Sequence, residues 1–304
     1  MSIYATIDVG SNSVLLHVAR RLEDGHFVPL IDESTVTRLG EELHRTGKIS
    51  PNAADRTLRV LERHARTMQA NGVRAFVAVG TQCLRQASNS SEFIERVRAA
   101  TGIPIEVISG EEEARLGYLA AASSLADPDV PVAMIDAGGA STELTFGQGP
   151  RIDRKLSLEV GAIRLTDTHV GTDIVRNEDL ERLFDRLDQV FARIGPVPLV
   201  QIVIAVGGTA TTLAAIKHQL RTYDPQQVHG TLLTRKELED HIQALRTVPL
   251  EQRKRIPGME PGRAEVIVAG ASILRAGMRR LNASEIVISD RGLRHALMEE
   301  RFGR

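Results

Sequence analysis

An α/β protein built from two related domains is what the sequence predicts, and three observations predict it. The stretch Ile7-Asp8-Val9-Gly10-Ser11-Asn12-Ser13-Val14-Leu15 returns as Ile135-Asp136-Ala137-Gly138-Gly139-Ala140-Ser141-Thr142-Glu143-Leu144, Asp136 following Asp8 by 128 residues. Each copy is an apolar run ending in Asp, a Gly-containing turn and a second apolar run. After each copy, strand-like runs alternate with segments of helical periodicity. The length of 304 residues is also long for one hydrophobic core and suits two.

The elements follow in order. Residues 3–37 read as an antiparallel meander of strands at 3–9, 14–20 and 27–37. Ser50-Pro51 has the N-cap and first-turn chemistry of a helix start. The apolar spacing of Leu58, Leu61, Ala65 and Met68 carries that helix to about residue 70. A strand at 75–79, helices near 81–87 and 90–100, a short strand at 105–108 and a helix from 109 to about 124 are expected next. Asp127-Pro128-Asp129-Val130-Pro131 is short, polar and stiff, which places a domain boundary between residues 126 and 127. The strand–turn–strand pattern then restarts at 132–136, 142–146 and 152–158. Helices at 161–169 and 178–193, a strand at 200–206 and a helix opening at Gly207-Gly208-Thr209 follow. Helices near 235–246, 249–254 and 261–281, a strand at 285–288 and a last helix from 290 finish the chain.

Composition narrows the function. Aromatic residues make up 3% of the chain, with no Trp, which disfavours stacking on nucleobases. A net charge of -1 provides no global field for a polyanion, so any anionic ligand must be held by local arrangement. Arg greatly outnumbers the five Lys, and Arg grips phosphate in a fork; a composition habit of the genome explains the bias equally well. The single Cys83 excludes an intrachain disulfide and fits a reducing compartment. With no apolar run of membrane-spanning length and no leader pattern, a cytoplasmic protein with neither a membrane nor a nucleic-acid partner is expected.

Five places carry candidate chemistry. A strand that delivers an Asp into a glycine turn can hold a hydrated cation beside amides and hydroxyls that hold phosphate oxygens. In the first turn these are Asp8 with Gly10, Ser11, Asn12 and Ser13, unless Asp8 simply caps a hairpin. The second turn offers Gly138, Gly139, Ala140, Ser141 and Thr142, and adds Glu143 to Asp136, a pair that can share one divalent cation. Gly207, Gly208 and Thr209 join a strand to a helix, either as an anion site at the helix start or as close backbone packing. Gly80-Thr81-Gln82-Cys83-Leu84-Arg85 also links a strand to a helix, and Arg85 can face a phosphate or a carboxylate. Lastly, Glu111, Glu112 and Glu113 open a helix after Ser109. Glu112 completes a Ser-x-x-Glu capping box and Glu111 suits the positive helix end. Glu113 falls where helix-start physics asks for no charge, leaving a general base or a solvated surface carboxylate. Cys83 reads as packing, and the nine His show no metal-type spacing.

In this order the motifs resemble the exopolyphosphatase / guanosine pentaphosphate phosphohydrolase (Ppx/GppA) family, within the actin-like ATPase (ribonuclease H-like, ASKHA) superfamily. The stretches that match are 7–15, 79–87, 107–116, 135–144, 161–165, 207–213, 263–273 and 289–294, nearly the whole chain. The resemblance implies two actin-like domains with an interdomain cleft, covering 1–126 and 127–304, with the C-terminal helix packing back on the first. It implies Mg²⁺-dependent removal of the terminal phosphate from inorganic polyphosphate, with guanosine pentaphosphate (pppGpp) as the alternative substrate and a weakly active polyphosphate sensor as the non-enzyme alternative. By position Glu113 is the general base, Arg85 contacts phosphate, Asp136 and Glu143 bind metal with Asp8 as a further contact, and the glycine turns are phosphate loops. Mn²⁺ in place of Mg²⁺, and activation by K⁺, are left open, and a homodimer is expected. Two departures stand out. Ala140 replaces the third Gly of the family's Asp-x-Gly-Gly-Gly-Ser, which would strain a position needing φ > 0. The HD-like helical region of long members has no counterpart, which points to shorter chains as substrate.

Overall fold

The computed structural model describes residues 2–124 and 127–303. In chain order, β1 is Ser2–Val9, β2 Ser13–Arg21, β3 Phe27–Val36, α1 Leu43–Thr46, α2 Pro51–Ala70, β4 Ala75–Gly80, α3 Gln82–Gln86, α4 Ser90–Thr101, β5 Ile105–Val107 and α5 Gly110–Ala122. Then come β6 Pro131–Ala137, β7 Thr142–Gln148, β8 Arg151–Leu158, α6 Ala162–Leu165, α7 Asn177–Ala192, β9 Ile202–Val206 and α8 Gly207–Lys217. The last are α9 Pro225–Val228, β10 Leu232–Thr234, α10 Arg235–Arg246, α11 Leu250–Arg253, α12 Ile267–Arg280, β11 Glu285–Ile288 and α13 Leu293–Phe302.

Two sheets carry these elements, and they repeat one topology. The first is ordered β3-β2-β1-β4-β5, the second β10-β11-β9-β6-β7-β8. In the first, β1–β2 and β2–β3 are antiparallel while β1–β4 and β4–β5 are parallel. In the second, β6–β7 and β7–β8 are antiparallel while β6–β9 and β9–β11 are parallel. Strand for strand, β3-β2-β1-β4-β5 corresponds to β8-β7-β6-β9-β11, with β10 added at one edge. The fold is α/β of the actin-like ATPase type, and the duplication seen in the two turns extends through whole sheets.

Two compact units result, one of residues 1–117 with 293–304 and one of residues 118–292. The expected boundary at 126/127 touches Leu125 and Ala126, which lie outside the described residues. The observed division falls earlier, between Gly117 and Tyr118 inside α5. Core packing explains it. Leu116 is buried with Val79, Ile108, Leu293 and Leu297 in the first unit, whereas Tyr118 and Ala121 are buried with Val132, Met134, Ile204 and Val206 in the second. The C-terminal helix α13 belongs to the first unit and lies against β1 and β2. Thr6 Oγ1 donates to Arg294 O at 2.9 Å, and Tyr4 stacks on Phe302 with ring centroids 4.6 Å apart.

Local chemistry accounts for most element ends and for the departures. Ser50 Oγ accepts from Ala53 N at 3.2 Å ahead of Pro51, as the sequence predicts. The helix expected at 161–169 stays α-helical only through Leu165. It then widens into a π turn, Thr166–Val170, closed by Gly171 N donating to Thr166 O at 2.8 Å. The hydroxyls of Thr166 and Thr168 donate back to Ala162 O and Arg164 O, a competition that loosens a helix. The helix expected at 261–281 starts only at Ile267, a 3₁₀ turn at Pro261–Arg263 preceding it. The final helix starts at Leu293 rather than 290. β10 has three residues, too few to show an alternation.

Candidate active site

In open α/β sheets, ligands bind beyond the carboxyl ends of the parallel strands. Every sequence-predicted site residue lies there. In the first unit β1 leads into Gly10–Asn12, β4 into Thr81 and α3, and β5 into Ser109 and α5. In the second, β6 leads into Gly138–Ser141 and β9 into Gly207 and α8.

The two hairpin turns share their geometry. Gly10 N donates to Ser13 O at 3.0 Å, and a Cβ on Gly10 would stand 3.1 Å from that oxygen. In the second turn a Cβ on Gly138 would stand 3.0 Å from Ser141 O. Both turns are pinned through their carbonyls. Ser11 O accepts from Gly40 N at 2.8 Å and Asn12 O from Thr37 N and Arg38 N, both at 2.9 Å. Gly138 O and Gly139 O accept from Ala162 N and Ile163 N at the start of α6, both at 2.9 Å. With carbonyls held by the scaffold, amides are the groups such turns can offer an anion.

Register separates the turns chemically. Asp136 pairs directly with Glu143 across β6–β7, so both carboxylates stand on one face of the sheet. Asp8 occupies the equivalent place on β1, but its partner across β2 is Leu15. Glu143 is further oriented by hydroxyls, Oε1 accepting from Ser141 Oγ at 2.6 Å and Ser157 Oγ at 3.1 Å. Asp136 lies against the third glycine turn, where a Cβ on Gly207 would come 2.7 Å from Asp136 Oδ1. Gly207 also has φ +83°, so both space and backbone require glycine there. Ala140 has no such demand: it is absent from the residues with positive φ, and alanine fits the second turn without backbone strain.

Some hydroxyls expected to meet phosphate face elsewhere. Thr142 is fully buried with Oγ1 donating to Val160 O at 2.6 Å. Thr209 is buried against Gly270 of α12. These two can offer only backbone groups to a ligand. Asn12 Nδ2 donates to Ser13 Oγ at 3.4 Å.

Glu113 is not a solvated surface carboxylate. Its side chain is 27% exposed, and Oε2 lies 2.8 Å from Arg85 Nη2. Arg85 Nη1 in turn donates to Ile108 O at 2.9 Å, which fixes the guanidinium at the mouth of α5. Burial pushes the Glu113 carboxyl above the usual Glu range, and the Arg85 charge and hydrogen bond only partly oppose this. A carboxylate raised in this way is a better proton acceptor. The expected capping role of Glu112 is seen in part. Its backbone N donates to Ser109 Oγ at 3.1 Å, while its carboxylate takes two donors from Arg115 at 2.8 and 2.6 Å.

At the third glycine turn lies one residue the sequence does not single out. The Arg263 guanidinium lies over Gly208 so closely that a Cβ there would be 1.7 Å from its Cζ. Arg263 Nε donates to Glu260 Oε2 at 2.9 Å. A guanidinium held above a glycine turn at a helix start has the charge and fork of a phosphate contact. The one sequence signal was its place at the head of the matching stretch 263–273.

Known proteins provide an independent comparison. Exopolyphosphatase 2 of Mycobacterium tuberculosis is 29% identical over 306 residues, covering 94% of this chain and 96% of its own. A bifunctional 3-dehydroquinate synthase/phosphatase of Fusobacterium nucleatum is 27% identical over 298 residues, and the chain spans only 44% of its length. Among solved structures, the Ppx/GppA family member of Aquifex aeolicus is 34% identical with a TM-score of 0.83, covering 99% of this chain and 97% of that one. The model of the Ppx/GppA phosphatase family matches residues 18–302, starting beyond the first turn. The chain therefore belongs to the Ppx/GppA phosphatase family, and is a hydrolase of phosphoanhydride bonds.

Proposed function

We propose that the protein is an exopolyphosphatase that removes the terminal phosphate of inorganic polyphosphate, acts on shorter chains, and depends on Mg²⁺. The observation that carries this reading is the Asp136–Glu143 pair. Two carboxylates set side by side at a glycine turn form a hard, all-oxygen donor set of the kind Mg²⁺ takes while keeping places for water and substrate phosphate. Asp136 and Glu143 would hold the ion, with Asp8 as a further contact. When bound, it would offset charge on the phosphoryl oxygens.

The remaining roles belong to the chain's own groups. Glu113 orients the attacking water and takes its proton as the P–O bond to the leaving chain breaks. Its raised pKa suits that task, and a placed general base is worth roughly 10²–10⁴-fold. Arg85 keeps Glu113 in place and faces the phosphate with its remaining donors. Backbone amides of Gly10–Ser13, Gly138–Thr142 and Gly207–Thr209 stabilise developing charge on the phosphoryl oxygens. Arg263, above Gly208, steadies the chain. A homodimer and a cytoplasmic setting carry over from the family likeness as part of this proposal; sedimentation of the purified chain tests the first. Among the described residues no helix is long and apolar enough to cross a membrane.

The test is phosphate release from polyphosphates of graded length, pppGpp and ATP, each with and without Mg²⁺. Fastest turnover on short polyphosphate, abolished by chelation, is expected. Faster turnover of pppGpp would reassign the substrate, and tight polyphosphate binding without phosphate release would make the protein a sensor. Glu113→Gln should lower kcat roughly 10²–10⁴-fold; a near wild-type rate would remove Glu113 from the mechanism.

A further inference from the structure

Away from the candidate active-site residues, the first unit gathers two imidazoles and a carboxylate from three elements distant in sequence. His17 and Asp32 are paired directly across β2–β3, so both project from the same face of the sheet. Onto that face α13 brings His295. Asp32 Oδ2 stands 3.4 Å from His17 Nδ1 and 3.0 Å from His295 Nε2. All three ligand atoms lie within 4.8 Å of one another. The imidazole rings are 4.6 Å apart, tilted by 54°.

We propose that His17, Asp32 and His295 form a binding site for a transition-metal dication of the Zn²⁺ class, which fastens the C-terminal helix to the N-terminal sheet. Three observations support it. Bonds of about 2.0–2.2 Å to imidazole nitrogen and carboxylate oxygen in a tetrahedral arrangement put neighbouring ligands about 3.3 Å apart, close to the two observed separations. His17 is 3% exposed, and its Nδ1, 3.4 Å from Asp32 Oδ2, makes no well-formed hydrogen bond, a costly state for a buried ring nitrogen. The second oxygen of Asp32 is held by Arg294, whose Nε donates to Oδ1 at 2.7 Å, the kind of outer partner that orients a ligating carboxylate.

The donor set also selects the ion. Two imidazoles and one carboxylate suit Zn²⁺, Co²⁺ or Ni²⁺ rather than Mg²⁺, which prefers oxygen ligands. The site is therefore separate from the Asp136–Glu143 pair in both residues and metal. Its ligands are 3%, 16% and 18% exposed, so Asp32 and His295 both reach solvent. The ion would tie residues 278 positions apart (His17 to His295), and so would act on stability more than on turnover.

Full-length protein stripped with a chelator and titrated with Co²⁺ tests this directly. The expected result is one equivalent bound, with the intense visible absorption of four-coordinate Co²⁺, displaced by Zn²⁺ and unaffected by excess Mg²⁺. His295→Gln and Asp32→Asn should each weaken binding by roughly 100-fold or more, beyond the 10–100-fold typical of losing an outer partner. Asp136→Ala should retain the band, which separates this site from the catalytic pair. Zn²⁺ should also raise the thermal unfolding midpoint of the wild type, a readout that stands even if a ligand variant fails to fold. Absence of stoichiometric Co²⁺ or Zn²⁺ binding in the wild type overturns the proposal, as does unchanged binding in a folded His295→Gln protein.

Discussion

The turn after β1 and the turn after β6 have matching glycine packing and different chemistry. Each closes with glycine packed on the carbonyl three residues on, at 3.1 and 3.0 Å from a would-be Cβ. Each follows an Asp one residue before the end of its strand, and the residue paired with that Asp differs, Leu15 in the first copy and Glu143 in the second. The sheets around them correspond strand for strand. Backbone geometry in a duplicated fold is thus held by packing and by the turn's own hydrogen bonds, whereas the carboxylate count is free to diverge. In the proposed mechanism the first turn offers phosphate-binding amides, and the second adds two carboxylates for a cation. Glu113, the proposed proton acceptor, comes from neither turn but from the first turn of α5.

The largest effect should come from erasing the difference. Glu143→Leu gives the second turn the first turn's residue, removes one of the proposed cation ligands and leaves the backbone alone. Loss of an outer partner alone costs 10–100-fold in metal affinity or activity, so phosphate release at fixed Mg²⁺ should fall by more than about 100-fold. Circular dichroism and thermal unfolding should stay near wild type. Activity that survives would mean that the two turns are chemically as alike as their backbones.

A smaller loss should follow from Gly207→Ala, which disturbs the second turn's Asp from outside. The new Cβ would need φ near +83° and would meet Asp136 Oδ1 at 2.7 Å. The left-handed conformation alone costs about 1–2 kcal/mol, and displacing Asp136 should lower activity about tenfold. The first unit has no counterpart of this contact among the described glycines. Raised Mg²⁺ should recover part of the rate if the displaced group is a cation ligand; no recovery would detach Asp136 from the metal.

The claim that the base lies outside both turns makes a prediction about pH. If Glu113 is the base, activity requires it unprotonated, so kcat/KM should fall on the acid side through its pKa, and that limb should lie above the usual Glu value because burial raises it. Arg85 works in the opposite direction, favouring the charged form. Arg85→Ala should therefore move the acid limb to still higher pH as well as weakening substrate binding. A limb that stays in place while KM alone rises would leave Arg85 as a phosphate contact with no hold on the base.

Much of this was readable in the chain, for reasons tied to distance along it. The repeat, the glycine turns, Ser50-Pro51 and the anomaly of Glu113 are all set by neighbours within about ten residues, where spacing fixes geometry. Arg263 was not, because it meets Gly208 across 55 residues through the packing of the 3₁₀ turn at 261–263. Nor was the His17–Asp32–His295 group, whose members show no sequence spacing and meet only because β2 pairs β3 and α13 returns to that sheet. The π turn after Leu165 escaped because the hydrophobic period continues through it while two Thr hydroxyls change the hydrogen bonding beneath. The place where the cores divide has a similar cause. The Asp-Pro stretch looks like a linker locally, but the cores divide α5 at Gly117, a matter of which apolar side chains each half of the helix buries.

The smallest effect gives the sharpest check on equal geometry. Gly10→Ala and Gly138→Ala each place a methyl about 3 Å from the carbonyl three residues on, and neither residue has positive φ. In both turns that carbonyl is backbone at the start of a paired strand, so it can move only by shifting the hairpin. Crowding of this kind costs about 1 kcal/mol or somewhat more, and equal contacts predict equal costs in chemical unfolding. Activity should not follow suit. Gly138 is two residues from Asp136 and five from Glu143, so a shifted hairpin there moves the cation pair, while the same shift at Gly10 moves one carboxylate and a leucine. Equal stability loss with a several-fold larger activity loss for Gly138→Ala is the expected pattern. If the two variants lose activity equally, the first turn carries as much of the chemistry as the second, and the division of labour between the copies is wrong.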